Sequence, residues 1–171
     1  DTLFRVYSMT KPIVSTALMM LYQDGLFQLN DPLSKFIPEF SNLRVLRSPN
    51  GPLNETVEME QEPTVQDILR HTAGFSHGLG NSEYDKAFVG TGIFRPETSL
   101  AEMMTALSTI PLMNQPGSMY RYSIGPDVAL RLVEIISGMS ADDYLQQRMF
   151  DPLGMDDTGY VVDPDNAHRL S

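Results

Sequence analysis

Apolar positions along this chain fall into short helical patterns separated by stretches rich in proline and glycine, without internal repeat, low-complexity tract or linker. After Ser8, Val14, Ala17, Leu18 and Leu21 recur at i, i+3, i+4 and i+7, the spacing of one helix face. Gly25 stands where a C-terminal stop belongs, because glycine takes the left-handed backbone without steric cost. Pro12 lacks an N–H and is tolerated only near a helix start, which places Ser8 at or next to the first turn. A second set, Val128, Ala129, Leu132, Val133 and Ile136, predicts a helix that opens at Pro126 and closes at Gly138.

Capping residues announce the remaining helices. Thr64 with Asp67 predicts a short helix through Arg70, Ser99 with Glu102 one ended by Pro111, and Ser140 with Asp143 one running to about Met149. Strand signals are few. Leu3 to Tyr7 alternates weakly, as a strand end does. The stretch from Asn42 to Pro63, with Pro49-Asn50-Gly51-Pro52 inside it, reads as a long surface loop. Pro116-Gly117 is a turn leading into Tyr120-Arg121-Tyr122-Ser123.

Composition narrows the function. With 171 residues and 42% hydrophobic content, the chain is long enough to fill a core. Its 12 basic and 22 acidic residues leave a formal charge of −10, which repels a phosphate backbone and argues against nucleic acid as a partner. The same acidity favours solubility whatever the chemistry. There is no cysteine, so disulfides and thiolate nucleophiles are excluded. His71, His77 and His168 lack the spacing of a helical zinc site, and no metal or other cofactor is expected. No apolar run approaches the ~18 residues of a membrane span. Asp1-Thr2-Leu3-Phe4-Arg5 carries no signal-peptide pattern, which leans towards the cytoplasm while leaving the compartment and the oligomeric state open.

Candidate chemistry centres on Ser8-Met9-Thr10-Lys11. Residues i and i+3 share a helix face, so the Lys11 ammonium can sit beside the Ser8 hydroxyl. Serine attacks poorly until a group takes its proton or stabilises its alkoxide, and a neighbouring lysine serves either need. The same residues are also compatible with a capping serine and a solvated lysine. Gly74-Phe75-Ser76-His77-Gly78 matches the nucleophile elbow of α/β-hydrolases, which requires a buried strand before its serine. A capped helix precedes it here, so Ser76 is not expected to be the nucleophile. His71 and Thr72 are expected to hydrogen-bond neighbouring backbone in a tight turn.

Taken with its surroundings, Ser8-Met9-Thr10-Lys11-Pro12 resembles the nucleophile motif of the serine β-lactamase and penicillin-binding superfamily, closest to class C β-lactamases and family VIII carboxylesterases. Asp24 to Pro32, Ile68 to Gly74 and Phe150 to Thr158 resemble further segments of that family, in the same order. The resemblance implies a β-lactamase/transpeptidase-like fold, an α/β sheet domain with an all-α domain. Residues 1–171 would be mainly its helical region, without the N-terminal strands or the C-terminal sheet and third motif. It implies Ser8 as nucleophile with Lys11 beside it and Tyr122 as general base, Tyr120 being the competing assignment. Ile124 stands where class C enzymes carry an amide-recognising asparagine, and as a substrate-binding residue it suits an ester better than a lactam. The expected activity is therefore hydrolysis of small or short-chain esters through an acyl-enzyme, with a small-molecule ester as partner. A β-lactamase or D-amino-acid peptidase is the alternative within the same chemistry, and a non-catalytic ligand-binding module or inert fragment the alternative outside it. Because Met9, Ile13, Met19 and Met20 extend the apolar character of the first helix beyond one face, the chain is also expected to expose apolar surface where a sheet would pack.

Overall fold

Two apolar helix faces meet to build the core, and the site hangs from the N-terminal end of each. In the computed structural model, which describes residues 2–171, the elements are α1 (Thr10–Gln23), β1 (Arg44–Leu46), β2 (Thr56–Glu58), α2 (Val65–Leu69), α3 (Glu83–Gly90), α4 (Leu100–Ser108), α5 (Gly125–Ser137), α6 (Ala141–Leu145) and α7 (Asp151–Leu153), with short 3-10 turns between them. Helix α1 buries Val14, Ala17, Leu18 and Leu21, the face its spacing predicts. Helix α5 buries Val128, Ala129, Leu132 and Val133 and packs against α1, α2, α4 and α6. Each of these valine and leucine side chains removed from water contributes roughly 1.5–3 kcal/mol, so this pairing holds the two helices together.

The caps behave as their chemistry requires. Thr64 with Asp67 and Ser99 with Glu102 form reciprocal capping boxes, and Ser140 accepts from the Asp143 N–H. Gly25 and Gly138 both take left-handed backbone, at φ +75° and +72°. Asp67 does more than cap: its buried carboxylate also accepts from the Thr72 hydroxyl at 2.7 Å, tying α2 to the turn that follows it.

Three features depart from the sequence-based expectation. The stretch from Asn42 to Pro63 is not all loop, since β1 and β2 pair antiparallel with Val45 opposite Val57. Strands of three residues are too short for alternation to register, and the partner on the other edge of β1 is remote: Leu46 donates to the Leu112 carbonyl and the Leu112 N–H to that of Arg44. Helix α3 was not expected, although Ser82 and Asp85 form a full capping box and Tyr84 and Phe88 are buried. The helix begun at Ser140 runs past Met149 by widening into a π turn at Gln146–Phe150 and ending at Leu153. Among the described residues of the N-terminal end, Leu3 alone forms a bridge, parallel to Leu170. Phe4, Tyr7 and Met9 lie exposed, while Ile13, Met19 and Met20 are half-buried, so apolar exposure concentrates before α1 and not along it.

One loop is held with unusual density. Between residues 113 and 124 the chain crosses the turn at 71–76, and Met113, Gly117, Arg121 and Ile124 donate backbone N–H groups to the carbonyls of Gly74, Thr72, His71 and Ser76. The crossing is close enough to need glycine. A Cβ on Gly74 would lie 2.2 Å from the Asn114 carbonyl oxygen, and one on Gly125 would lie 2.6 Å from that of Ile68. Gly125→Ala should therefore push α5 away from α2 and cost about 1–3 kcal/mol. Gly90→Ala, whose Cβ meets nothing within 4 Å, should be neutral or stabilise by about 0.4–1 kcal/mol. Chemical denaturation of the two variants checks this, and equal stabilities would contradict the close-contact account.

Candidate active site

Ser8 sits in a 3-10 turn, Tyr7–Met9, that runs directly into α1. Lys11 is one turn further on, and its ammonium donates to Ser8 Oγ at 3.1 Å. Pro12 can follow because N–H groups in the first turn have no intrahelical acceptor to lose. From the other side comes Tyr122, on the stitched loop just before α5: a hydrogen bond of 2.7 Å joins its hydroxyl to Ser8 Oγ. The Lys11 nitrogen also lies 4.9 Å from the Tyr122 ring centroid. Among the described residues Lys11 forms no carboxylate ion pair, so its charge is directed at these two hydroxyls.

That charge biases the ionisation of Tyr122. Hydrogen bonding with Lys11, and then with Ser8, holds the phenol below its ordinary range, and burial opposes this only weakly because the ring remains 37% exposed. In its phenolate form this oxygen would lie within hydrogen-bond distance of the Ser8 hydroxyl. Behind it Asp127, in the first turn of α5, is pushed upward by burial and drawn down by Lys11. Asp127, Lys11, Tyr7 and Tyr160 line a cavity of about 240 Å³. Tyr160, 49% exposed, is raised above its ordinary range by partial burial and by the charges of Asp127 and Asp142, so it is a protonated wall of that cavity at neutral pH.

Of the residues expected from sequence, Ser8, Lys11 and Tyr122 come together. Tyr120 points elsewhere, packing edge-on against His71 at 5.8 Å between centroids and staying 63% exposed. Ile124 requires correction as a substrate contact. It is only 5% exposed and belongs to the hydrophobic core at the cap of α5, where a substrate has no access to its side chain. Ser76 is equally buried at 5%, and its hydroxyl accepts from the Gly78 N–H inside a turn. The elbow-like motif is thus structural.

Sequence reasoning missed the setting of Tyr122. His71 stacks on it at 5.0 Å and 29°, and His77 meets it edge-on at 5.9 Å. His71 Nδ1 also contacts the N–H and hydroxyl of Ser123 at 3.2 and 3.1 Å. The available signal was a histidine next to a glycine turn, which periodicity cannot read. Among the described residues no cluster of three or more His, Asp or Glu side chains is arranged to hold a metal. Among the described residues no helix is long and apolar enough to cross a membrane.

Comparison with known proteins gives a consistent picture. A family model described as Beta-lactamase matches residues 1–171. An uncharacterized protein of Mycobacterium tuberculosis is 36% identical over all of this chain and 42% of its own length. Esterase EstB of Burkholderia gladioli is 34% identical over 94% of this chain and 39% of its own. Among solved structures, EstCE1, described as a hydrolase with promiscuous acyltransferase activity, superposes with a TM-score of 0.83 at 24% identity, over 99% of this chain and 42% of that one. A β-lactamase/D-alanine carboxypeptidase from Yersinia pestis gives 0.72 at 22% identity, over 99% and 44%. The fold is thus β-lactamase/transpeptidase-like, seen in its helical region. The chain spans 39–42% of the length of these curated relatives.

A fluorophosphonate probe offered to the full-length protein should modify Ser8 and leave Ser76 untouched, because Ser8 is exposed beside Lys11 and Tyr122 whereas Ser76 is buried. Peptide mapping by mass spectrometry reads the site, and an adduct on Ser76 would reverse the assignment.

Proposed function

Because the chain belongs to the Beta-lactamase family, we propose that the full-length protein is a serine hydrolase that works through an acyl-enzyme and takes small or short-chain esters. The observation that carries this reading is the Ser8 hydroxyl held 2.7 Å from the Tyr122 hydroxyl and 3.1 Å from the Lys11 ammonium. In this reading Tyr122, as phenolate, removes the Ser8 proton while Oγ attacks the ester carbonyl. Lys11 stabilises the phenolate before the transfer and the developing serine alkoxide during it. The Ser8 N–H, in a first turn where such groups lack helical partners, is offered to the carbonyl oxygen as it becomes negative. Collapse of the tetrahedral intermediate expels the alcohol, which takes its proton from Tyr122. Water then attacks the acyl-serine with Tyr122 again as base, and collapse releases the carboxylic acid as Tyr122 returns that proton to Ser8 Oγ.

Esters are favoured over lactams and peptides on two grounds. Esterase EstB and a lovastatin esterase from Penicillium rubens, 29% identical, each align with 94% of this chain. The residue two after Tyr122 is a buried isoleucine, so no amide side chain is offered there to a substrate amide. The D-alanyl-D-alanine carboxypeptidase/endopeptidase AmpH of Escherichia coli is 28% identical over 99% of this chain, which makes peptide hydrolysis the arm to test against.

Short-chain nitrophenyl esters should be hydrolysed by the full-length protein, and a chromogenic cephalosporin and a D-alanyl-D-alanine peptide should not. Turnover of either amide without ester turnover would replace the ester reading. Lys11→Ala and Tyr122→Phe should each lower kcat by ~10²–10⁴, whereas Tyr120→Phe should leave it nearly unchanged. Damage by Tyr120→Phe with Tyr122→Phe neutral would put the base at Tyr120.

A further inference from the structure

We infer that His71 is a positioning residue for Tyr122, its Nδ1 accepting two hydrogen bonds from Ser123 and so latching the loop that brings the tyrosine hydroxyl to Ser8. The inference rests on the proposed role of Tyr122 as base.

The direction of the hydrogen bonds follows from the donors present. A backbone N–H can only donate, so the 3.2 Å contact from Ser123 N requires an Nδ1 without hydrogen. Ser123 Oγ already accepts from the Gly125 N–H at 3.2 Å, which leaves its own hydrogen to donate to Nδ1 at 3.1 Å. Both bonds place the imidazole proton on Nε2. The His71 carbonyl meanwhile accepts from the Arg121 N–H at 2.8 Å. One residue therefore holds the loop on both sides of Tyr122, and its ring stacks on the phenol between these two anchors. This grip requires an unfavourable backbone: His71 is at φ +56°, a left-handed conformation that costs a side-chain-bearing residue roughly 1–2 kcal/mol. The only other such residue among those described is Tyr7, at φ +44° next to Ser8, so both left-handed side-chain residues border the reacting hydroxyls.

Protonation would undo the latch. The groups facing His71 are Lys11 from α1 and Tyr120, Tyr122 and Ser123 from the loop. On its own side Arg70 is engaged by Gln66, and Asp67 by Thr64 and Thr72. No carboxylate bonds to the ring among the described contacts. Burial, then the Lys11 charge, hold the imidazole below its ordinary range, so it is neutral at pH 7 and able to accept. A proton added at lower pH would point a hydrogen at the Ser123 N–H and set a second positive charge near Lys11.

The test compares His71→Gly and His71→Asn in the full-length protein, reading kcat and KM for a nitrophenyl ester across pH. Glycine keeps the left-handed backbone but removes ring and acceptor. It should lower kcat by ~10²-fold with little change in KM, as expected for a misplaced reacting group. Asparagine tolerates the same backbone, and its Oδ1 accepts without titrating. It should recover most of the lost rate and abolish the acid-side loss of kcat that the latch predicts for the wild type below the ordinary histidine range. A His71→Gly variant with wild-type kcat, an asparagine variant as impaired as the glycine one, or an acid-side loss unchanged in His71→Asn would each overturn the latch. A wild-type rate in Tyr122→Phe, measured alongside, would overturn the latch together with the reading of Tyr122 as base, which separates the two failures.

Discussion

The contact between Ser8 and Tyr122 joins residues 114 apart in sequence, and most of the architecture serves to hold it. Ser8 is delivered by the turn before α1, Tyr122 by the loop before α5, and the two helices are pressed together along their buried faces. A hydrogen bond between two partly exposed hydroxyls contributes only about 0.5–1.5 kcal/mol by itself. It cannot set the geometry of the helices, so the packing of α1 on α5 must set the geometry of the bond. Lys11 then tunes what the packing has assembled. Being one turn after Ser8, it is fixed by the same helix that fixes the serine, and its charge acts on a phenol that comes from elsewhere.

Local cost and function coincide at two points. Tyr7 and His71 adopt left-handed backbone without being glycine, one beside the serine and one beneath the tyrosine. Gly74 and Gly125 permit close backbone crossings that any side chain would block. The two glycines lie where the stitched loop crosses the turn at 71–76 and meets α2, which lets its irregular backbone hydrogen-bond to that turn at four points. The buried Asp67 carboxylate, satisfied by Thr64 and Thr72 and not by a cation, anchors the same crossing from below.

What was legible in the sequence follows from the range of each interaction. Helix caps involve residues three apart, so Thr64 with Asp67, Ser99 with Glu102 and Ser140 with Asp143 could be read directly, and Ser82 with Asp85 carried the same unread signal. The face of α1 was legible because four apolar residues repeat at helical spacing. The strand pair β1–β2 was not, since β1 owes its place to Leu112 as much as to its neighbour β2. At the site, Ser8 and Lys11 share one turn and could be paired by spacing, while Tyr122 was found through resemblance. Ile124 was misread because its burial depends on α5 docking, and His71 because its partner Ser123 lies 52 residues away.

The central claim is that Lys11 and Ser8 make Tyr122 a base by favouring its phenolate. Its most direct test is the ionisation of Tyr122 in the full-length protein, read from phenolate absorbance as the difference between wild type and Tyr122→Phe. The account predicts that this one tyrosine titrates below the ordinary value of ~10 and that Lys11→Ala moves the titration upward. A Tyr122 that ionises at or above the ordinary value, or one indifferent to the loss of Lys11, would contradict it.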